Sequence, residues 1–232
     1  MPDTVFITGG TGYIGSRLIP LLQARGYQVT ALARPGSERK LPPGCRVVVG
    51  DALDGRSYAQ HMPGHAAFVH LIGVSHPSPA KAREFVEIDL RSAREAASVA
   101  LGSGIPHFVY ISVAQPAPVM QPYVEARSRG EETIRASVLN ATIFRPWYVL
   151  GPGHRWPFAL VPFYWLAERI PATRDSALRL GLVTINQMVR ALARAVQEPA
   201  VGVRVLGVPE IRTFSAAGGS RAAAESRAAA RV

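Results

Sequence analysis

The sequence predicts an α/β fold, a doubly wound parallel sheet with helices on both faces, and three observations predict it. Short apolar runs recur through the first 146 residues, at Val5–Ile7, Gln28–Ala33, Arg46–Gly50, Ala66–Leu71, His107–Ser112 and Ala141–Arg145. They are continuous rather than alternating, as strands buried on both faces are. Amphipathic stretches with helical spacing lie between several of them, which is the sequence form of strand–helix–strand units.

The first unit carries the most information. Val5-Phe6-Ile7 runs directly into Thr8-Gly9-Gly10-Thr11-Gly12-Tyr13-Ile14-Gly15. A helix follows from about Tyr13 to Arg25, with Ile14, Leu18, Leu21 and Leu22 on one face and Gly26 as its stop. Pro20 falls inside it and predicts a kink, because proline lacks the N–H that the helix needs. Strand, glycine turn and helix together form a dinucleotide-binding fingerprint. Gly9 permits the tight turn, Gly12 admits a pyrophosphate close to the backbone, and Gly15 lets the helix pack closely. The phosphates then meet the helix N-terminus, where unpaired N–H groups and the dipole favour anions.

The second strand, Gln28–Ala33, ends at Arg34. An NAD site usually places Asp or Glu there to hold the ribose 2′-hydroxyl. Arginine cannot accept from a hydroxyl, but its fork suits a phosphate. NADP(H) is therefore favoured over NAD, with Arg34 on the 2′-phosphate and Arg39 or Lys40 as helpers; the competing reading of Arg34 is a solvent-facing loop residue. The third strand ends in Asp51-Ala52-Leu53-Asp54, and the fourth in Leu71-Ile72-Gly73. A long helix over about 80–102 turns Phe85, Ile88, Val99 and several alanines toward the sheet. A helix over 123–138 follows the fifth strand. Its Glu125, Glu131 and Glu132 stand among arginines and read as a solvated, salt-bridged face.

After Pro146 the texture changes. Gly151-Pro152-Gly153 breaks the chain, and 154–182 reads as irregular, aromatic and proline-bearing. Thr184 and Gln187 form a capping box for a helix to Glu198, and Val203–Val208 reads as a last strand. From Thr213 the chain is low in complexity and expected to be loose. The predicted organisation is a nucleotide-binding core over 1–146, a small substrate-covering segment with the final helix and strand over 147–212, and a tail over 213–232.

Composition bounds the function. The chain has 232 residues, 48% hydrophobic, enough for one sizeable core. Cys45 stands alone, so neither a disulfide framework nor a cysteine metal site is expected. None of the six histidines shows metal-binding spacing, and no metal is expected. The net charge is +10, but the arginines are scattered, three of them after Phe214. No basic cluster interleaved with aromatics suggests nucleic acid. No signal peptide is recognised, and the most apolar stretch, 156–167, is too short to span a bilayer. A soluble, cytoplasmic protein is expected, with peripheral membrane contact left open and the oligomeric state undetermined.

Taken in order, TGGTGYIG, GDALD at 50–54, HLIG at 70–73, FVYIS at 108–112, YVEARSRGEETIR from Tyr123, FRPWYVLGPG at 144–153 and VPEIR at 208–212 resemble the atypical or extended short-chain dehydrogenases/reductases. The nearest group is the NAD(P)H-binding one that includes NmrA-like proteins and the Rossmann subunit of respiratory complex I. The resemblance spans about residues 4–212 and implies a Rossmann fold. It implies that Thr8 to Gly15, Leu71, Ile72, Gly73 and Pro146 hold the cofactor, with Asp51 and the Ala52 backbone at the adenine. Asp51 reads equally as a turn cap.

Members that turn over use a tyrosine and a lysine four residues later, with a polar partner from the fifth strand. Here the resemblance places Tyr123 as the acid/base, Arg127 where the lysine stands, and Ser112 at the substrate oxygen. Positions 123 and 127 share a helix face. Arginine keeps the charge but is not interchangeable with lysine. Two functions follow: an NADP(H)-dependent oxidoreductase on a small carbonyl or hydroxyl compound, or a non-catalytic NAD(P)H-binding sensor or structural subunit in which Tyr123 packs on the ribose. Sugar-nucleotide epimerisation or dehydration ranks third. Trp147, Tyr148, Trp156, Phe158, Phe163, Tyr164 and Trp165 point to an apolar substrate, with core packing and a partner-facing patch as the competing readings. His154 and Arg155 are expected at the pocket border.

Overall fold

A computed structural model describes residues 4–153 and 161–216. Strand β1 (Thr4–Thr8) is followed by helix α1 (Gly15–Ala24), β2 (Gln28–Ala33), β3 (Arg46–Val49) and β4 (Ala67–His70). Next comes a long helical run: α2 (Ala82–Glu84), a π-helical stretch (Phe85–Leu90) and α3 (Arg91–Gly102). Then follow β5 (Phe108–Ile111), α4 (Gln121–Ala136), β6 (Ala141–Phe144), β7 (Tyr148–Leu150), α5 (Val161–Ala167), α6 (Pro171–Arg179), β8 (Leu182–Thr184), α7 (Ile185–Gln197) and β9 (Val203–Leu206). A last helix, α8, covers 208–216.

Seven strands form one parallel sheet in the order β3-β2-β1-β4-β5-β6-β9. This is a Rossmann-like fold, as the apolar runs predict. Along β1 the side chains alternate between two cores. Val5 and Ile7 join Leu18, Leu22, Met188 and Leu192 of α1 and α7, while Phe6 joins Ala96, Ala100 and Ile134 of α3 and α4. Each face of the sheet therefore has its own helical layer. The strand order reverses between β1 and β4, and ligands of such sheets bind in the crevice at the carboxyl ends there.

Helix α7 begins with the expected capping box: Thr184 accepts from the Gln187 N–H, and the Gln187 side chain accepts from the Thr184 N–H. Its Ile185, Val189, Leu192 and Val196 are buried. Helix α7 packs on α1, and β9 pairs with β6 at the edge of the main sheet. Helix α1 runs without interruption across Pro20, whose ring is exposed.

Several expectations are corrected. The stretch 161–184 is not irregular: α5 and α6 are short helices, and β8 pairs with β7 in a second, two-stranded sheet. Pro171 stands at the start of α6, where its missing N–H costs nothing. The last strand stops at Leu206, and α8 continues through Thr213 to residue 216, where the guanidinium carbon of Arg194 lies 4.3 Å from the Phe214 ring centre. The remainder of the tail lies outside the described residues, as do His154, Arg155, Trp156 and Phe158. Cys45 is half-buried, its thiol donating to the Pro42 carbonyl.

The acidic face of α4 is only partly solvated. Glu131 is 2% exposed and takes a two-pronged contact from Arg145, Nε at 2.9 Å and Nη2 at 2.6 Å, plus the Gln115 amide at 2.9 Å. Buried carboxylates need such full partnering. The pair ties α4 to the end of β6, and so helps set the position of the catalytic-candidate face of α4.

Candidate functional site

The glycine turn occupies the space that its sequence requires. Gly9 adopts φ +77°, and a Cβ there would meet the Leu71 carbonyl carbon at 2.8 Å. β1 and the chain leaving β4 can approach this closely only because the residue is glycine. Gly12 donates to the Gly9 carbonyl at 3.0 Å, and otherwise faces open space: a Cβ there would meet only the Gly9 oxygen, at 3.2 Å. Helix α1 then starts with no side-chain cap and no acidic residue in its first turn. An uncapped helix start beside an open glycine turn suits an anion.

A cavity of about 560 Å³ opens at this turn. Gly9, Gly12, Tyr13, Ile14 and Gly15 form one wall. Leu71, Ile72 and Gly73 after β4, Ser112 after β5 and Pro146 after β6 line it too, and α4 contributes Tyr123 and Arg127. Thr8, Gly10, Thr11, Arg34, Asp51 and Ala52 do not line it. The Thr8 hydroxyl lies 2.8 Å from His70 Nδ1, and both are buried. Burial, reinforced by the Arg127 charge, pushes His70 down to about 3, so its ring stays neutral. Arg34 is exposed at the end of β2, and no described residue pairs with its side chain. Asp51 accepts from the Leu53 N–H at 2.9 Å, the turn-capping arrangement, and Ala52 packs into the core.

The three candidate catalytic residues meet in one cavity. Tyr123 packs its ring on Phe85, with centres 5.0 Å apart. The Ser112 hydroxyl is buried and has no hydrogen-bond partner among the described residues. Such an orphan is costly unless something else supplies a partner. Arg127 is 5% exposed, with its guanidinium carbon 5.4 Å from the Tyr123 ring centre. Tyr110 also lies beside Arg127, at 5.9 Å, but burial pushes its hydroxyl up to about 12. Tyr123, half-buried and at the cavity wall, is the better placed of the two for proton transfer.

The sequence reading missed Asp89. It is fully buried in the π-helical stretch, and its Oδ1 lies 2.6 Å from Arg127 Nη2. Its Oδ2 accepts from the Val74 N–H at 3.0 Å, while Arg127 Nη1 donates to the Ile111 carbonyl at 2.8 Å. Burial pushes the Asp89 carboxyl up, and the Arg127 charge and the Val74 N–H oppose that push. Arg127 is thus fixed by α3's preceding turn and by the end of β5, with Nε left unpartnered. Gly73 makes this arrangement possible, since any Cβ there would collide with Arg127 Nη2. The reading also missed the apolar wall at Val74, Pro77, Val113 and Met120, whereas it had anticipated Trp147 and Tyr148. Phe163 and Trp165 are 68% and 57% exposed and lie away from the core.

A family model described as NAD(P)H-binding matches residues 9–154, the span that holds this turn and cavity. The chain belongs to the NAD(P)H-binding family. Among curated proteins it is similar to ceramide reductase of Caulobacter vibrioides, 27% identical over 208 residues, covering 86% of this chain and 62% of that protein. It is also similar to UDP-glucose 4-epimerase of Vibrio cholerae, 24% identical over 94% of this chain and 74% of that one. Among solved structures, the enzyme WbmH of Bordetella bronchiseptica in complex with NAD+ superposes with a TM-score of 0.66 at 23% identity, over 88% of this chain and 75% of WbmH. That likeness shows the fold. The family shown is thus an NAD(P)H-binding one, in line with the glycine turn. Among the described residues no helix is long and apolar enough to cross a membrane.

Proposed function

We propose that this chain is an NADP(H)-dependent oxidoreductase acting on an apolar carbonyl or hydroxyl compound. The observation that carries the reading is the meeting of Tyr123, Arg127 and the unpartnered Ser112 hydroxyl in the cavity that opens at the glycine turn. Gly9, Gly12 and Gly15 would hold a nicotinamide dinucleotide in this cavity, and in its reduced form it would supply the hydride for the carbonyl carbon. Tyr123 gives its hydroxyl proton to the carbonyl oxygen as the C=O π bond opens, and water returns a proton to the phenolate. Ser112 donates a hydrogen bond to that oxygen. Arg127 holds a fixed positive charge beside Tyr123, its guanidinium carbon 5.4 Å from the ring centre. Val74, Pro77, Val113, Met120 and Trp147 give the cavity an apolar wall, which suits an apolar substrate. The similarity to ceramide reductase, a reductase named for a lipid, agrees with that choice.

Two other readings have support of their own. The clamp of Asp89 and the Ile111 carbonyl on Arg127 occupies both Nη atoms, which favours a binding protein that senses NAD(P)H without turnover. The similarity to UDP-glucose 4-epimerase favours sugar-nucleotide chemistry. Against it, Arg127 is the one arginine or lysine lining the cavity among the described residues, and it is already paired.

Turnover is tested by screening apolar aldehydes and ketones for NADPH oxidation. The expected result is activity in the native chain and a loss of about 10²–10⁴-fold in Tyr123→Phe. NADPH binding without turnover, unchanged by Tyr123→Phe, supports the sensor instead. The coenzyme preference rests on Arg34, which is exposed at the end of β2 and pairs with no described residue. Arg34→Asp is expected to weaken NADPH binding by about 10-fold or more and to leave NADH binding equal or tighter. An unchanged NADPH/NADH affinity ratio removes the preference.

A further inference from the structure

The described surface has one apolar corner that the site does not use. Of eleven exposed large hydrophobic side chains, four fall within eight residues: Phe163, Trp165, Leu166 and Ile170, at 68%, 57%, 54% and 44% exposure. The remaining seven are aliphatic and scattered. Phe163, Trp165 and Leu166 stand on α5 and Ile170 on the turn into α6. On its inner side Ala177 of α6 is buried, and Leu180, just beyond α6, packs against the cluster of Val113, Ala117 and Val124. Trp147, which lines the cavity, hydrogen-bonds Tyr164 of α5, so α5 sits beside the cavity wall.

Arginines outnumber acids around the corner, three to two over 163–179. Arg169 lies over the Trp165 ring at 3.4 Å and donates to the Trp165 carbonyl at 2.8 Å. Arg174 is exposed next to it. Glu168 is engaged with Arg212 at 3.2 Å, so Asp175 is the one exposed acid of this segment. An aromatic ring under an arginine, flanked by aliphatic side chains, is the composition of an interfacial segment: the rings enter the headgroup boundary while the cations meet lipid phosphates.

We propose that the α5–α6 corner docks on an anionic membrane surface, through Phe163, Trp165, Leu166 and Ile170 with Arg169 and Arg174 at the headgroups. Charge decides between the occupants. A second copy would bring two sets of these arginines together, on chains that each carry a net +10. Residues 217–232 are themselves basic, and Val232 is their one large apolar residue, so that tail has little to lay on the corner. An anionic bilayer satisfies both the apolar and the cationic groups. Docking here sets the cavity beside the bilayer, from which an apolar substrate of the kind proposed above would arrive. The docking itself requires no turnover and is read without it.

The test uses the full chain, vesicles of phosphatidylcholine with and without phosphatidylglycerol, and co-sedimentation at low and high salt. Binding to the phosphatidylglycerol vesicles at low salt, weakened by salt, is expected. Phe163→Ser/Leu166→Ser should weaken it by at least about 10-fold, since two apolar side chains no longer leave water. NADPH affinity of that variant, measured in parallel, should match the native chain and shows that it is folded. Absence of binding to anionic vesicles at low salt overturns the proposal. So does native-strength binding by the double variant, which would assign the attraction to charge elsewhere. A dimer in solution that the double variant dissolves also overturns it, in favour of a second copy.

Discussion

Asp89→Ala is expected to destabilise the protein by about 3–5 kcal/mol, because it strands the Arg127 charge in the interior. Arg127 is 5% exposed and Asp89 is fully buried, so water cannot replace the lost partner. The Val74 N–H loses its acceptor in the same change, and α4 loses its tie to the helical run before α3. A shift of that size lowers the thermal midpoint by roughly 10 °C or more in a chain of this length. The double replacement Asp89→Leu/Arg127→Met removes both charges together. It is expected to recover much of the stability while leaving Tyr123 without its cation. Thermal and urea denaturation of the three chains measure this directly. If Asp89→Ala melts with the native chain, the pair does not hold the site together.

Gly12→Val is expected to abolish dinucleotide binding while leaving the fold almost intact. The backbone at Gly12 has no positive φ, and its Cβ would meet only the Gly9 oxygen, at 3.2 Å. The Gly9 oxygen must give by a few tenths of an ångström, and no other described atom stands in the way. The added methyl groups point into the cavity that the uncapped start of α1 faces, and take the space of a phosphate. A loss of at least about 100-fold in affinity is expected, with the thermal midpoint close to native. Gly9→Val makes the contrast. Its φ of +77° and the Leu71 backbone at 2.8 Å mean that the fold itself yields.

The parts of the molecule governed by short-range pattern were open to sequence reading. The main-sheet strands of the core lie within a residue of their apolar runs, and the Thr184–Gln187 capping box appears as written. The glycine turn is legible because each glycine answers a local demand. Asp89 was not legible, because its partner stands on another helix and the π-helical stretch shifts the face it presents. One signal was available: Asp89 is four residues after Phe85, on the face turned to the interior, where a carboxylate calls for a cation. Glu131 misled for the same reason. The other acids of α4, Glu125 and Glu132, are exposed, but Arg145 reaches Glu131 from the end of β6. The helices α5 and α6 were hidden by prolines that read as breakers yet stand at helix starts.

The central claim is that the turn from Gly9 to Gly15 and the start of α1 receive the pyrophosphate of a nicotinamide dinucleotide. Calorimetric titration of the native chain with NADPH and with NADH tests it most directly. Saturable heat at one site per chain is expected, tighter for NADPH, and none in Gly12→Val. Flat titrations of the folded native chain with both coenzymes would contradict it.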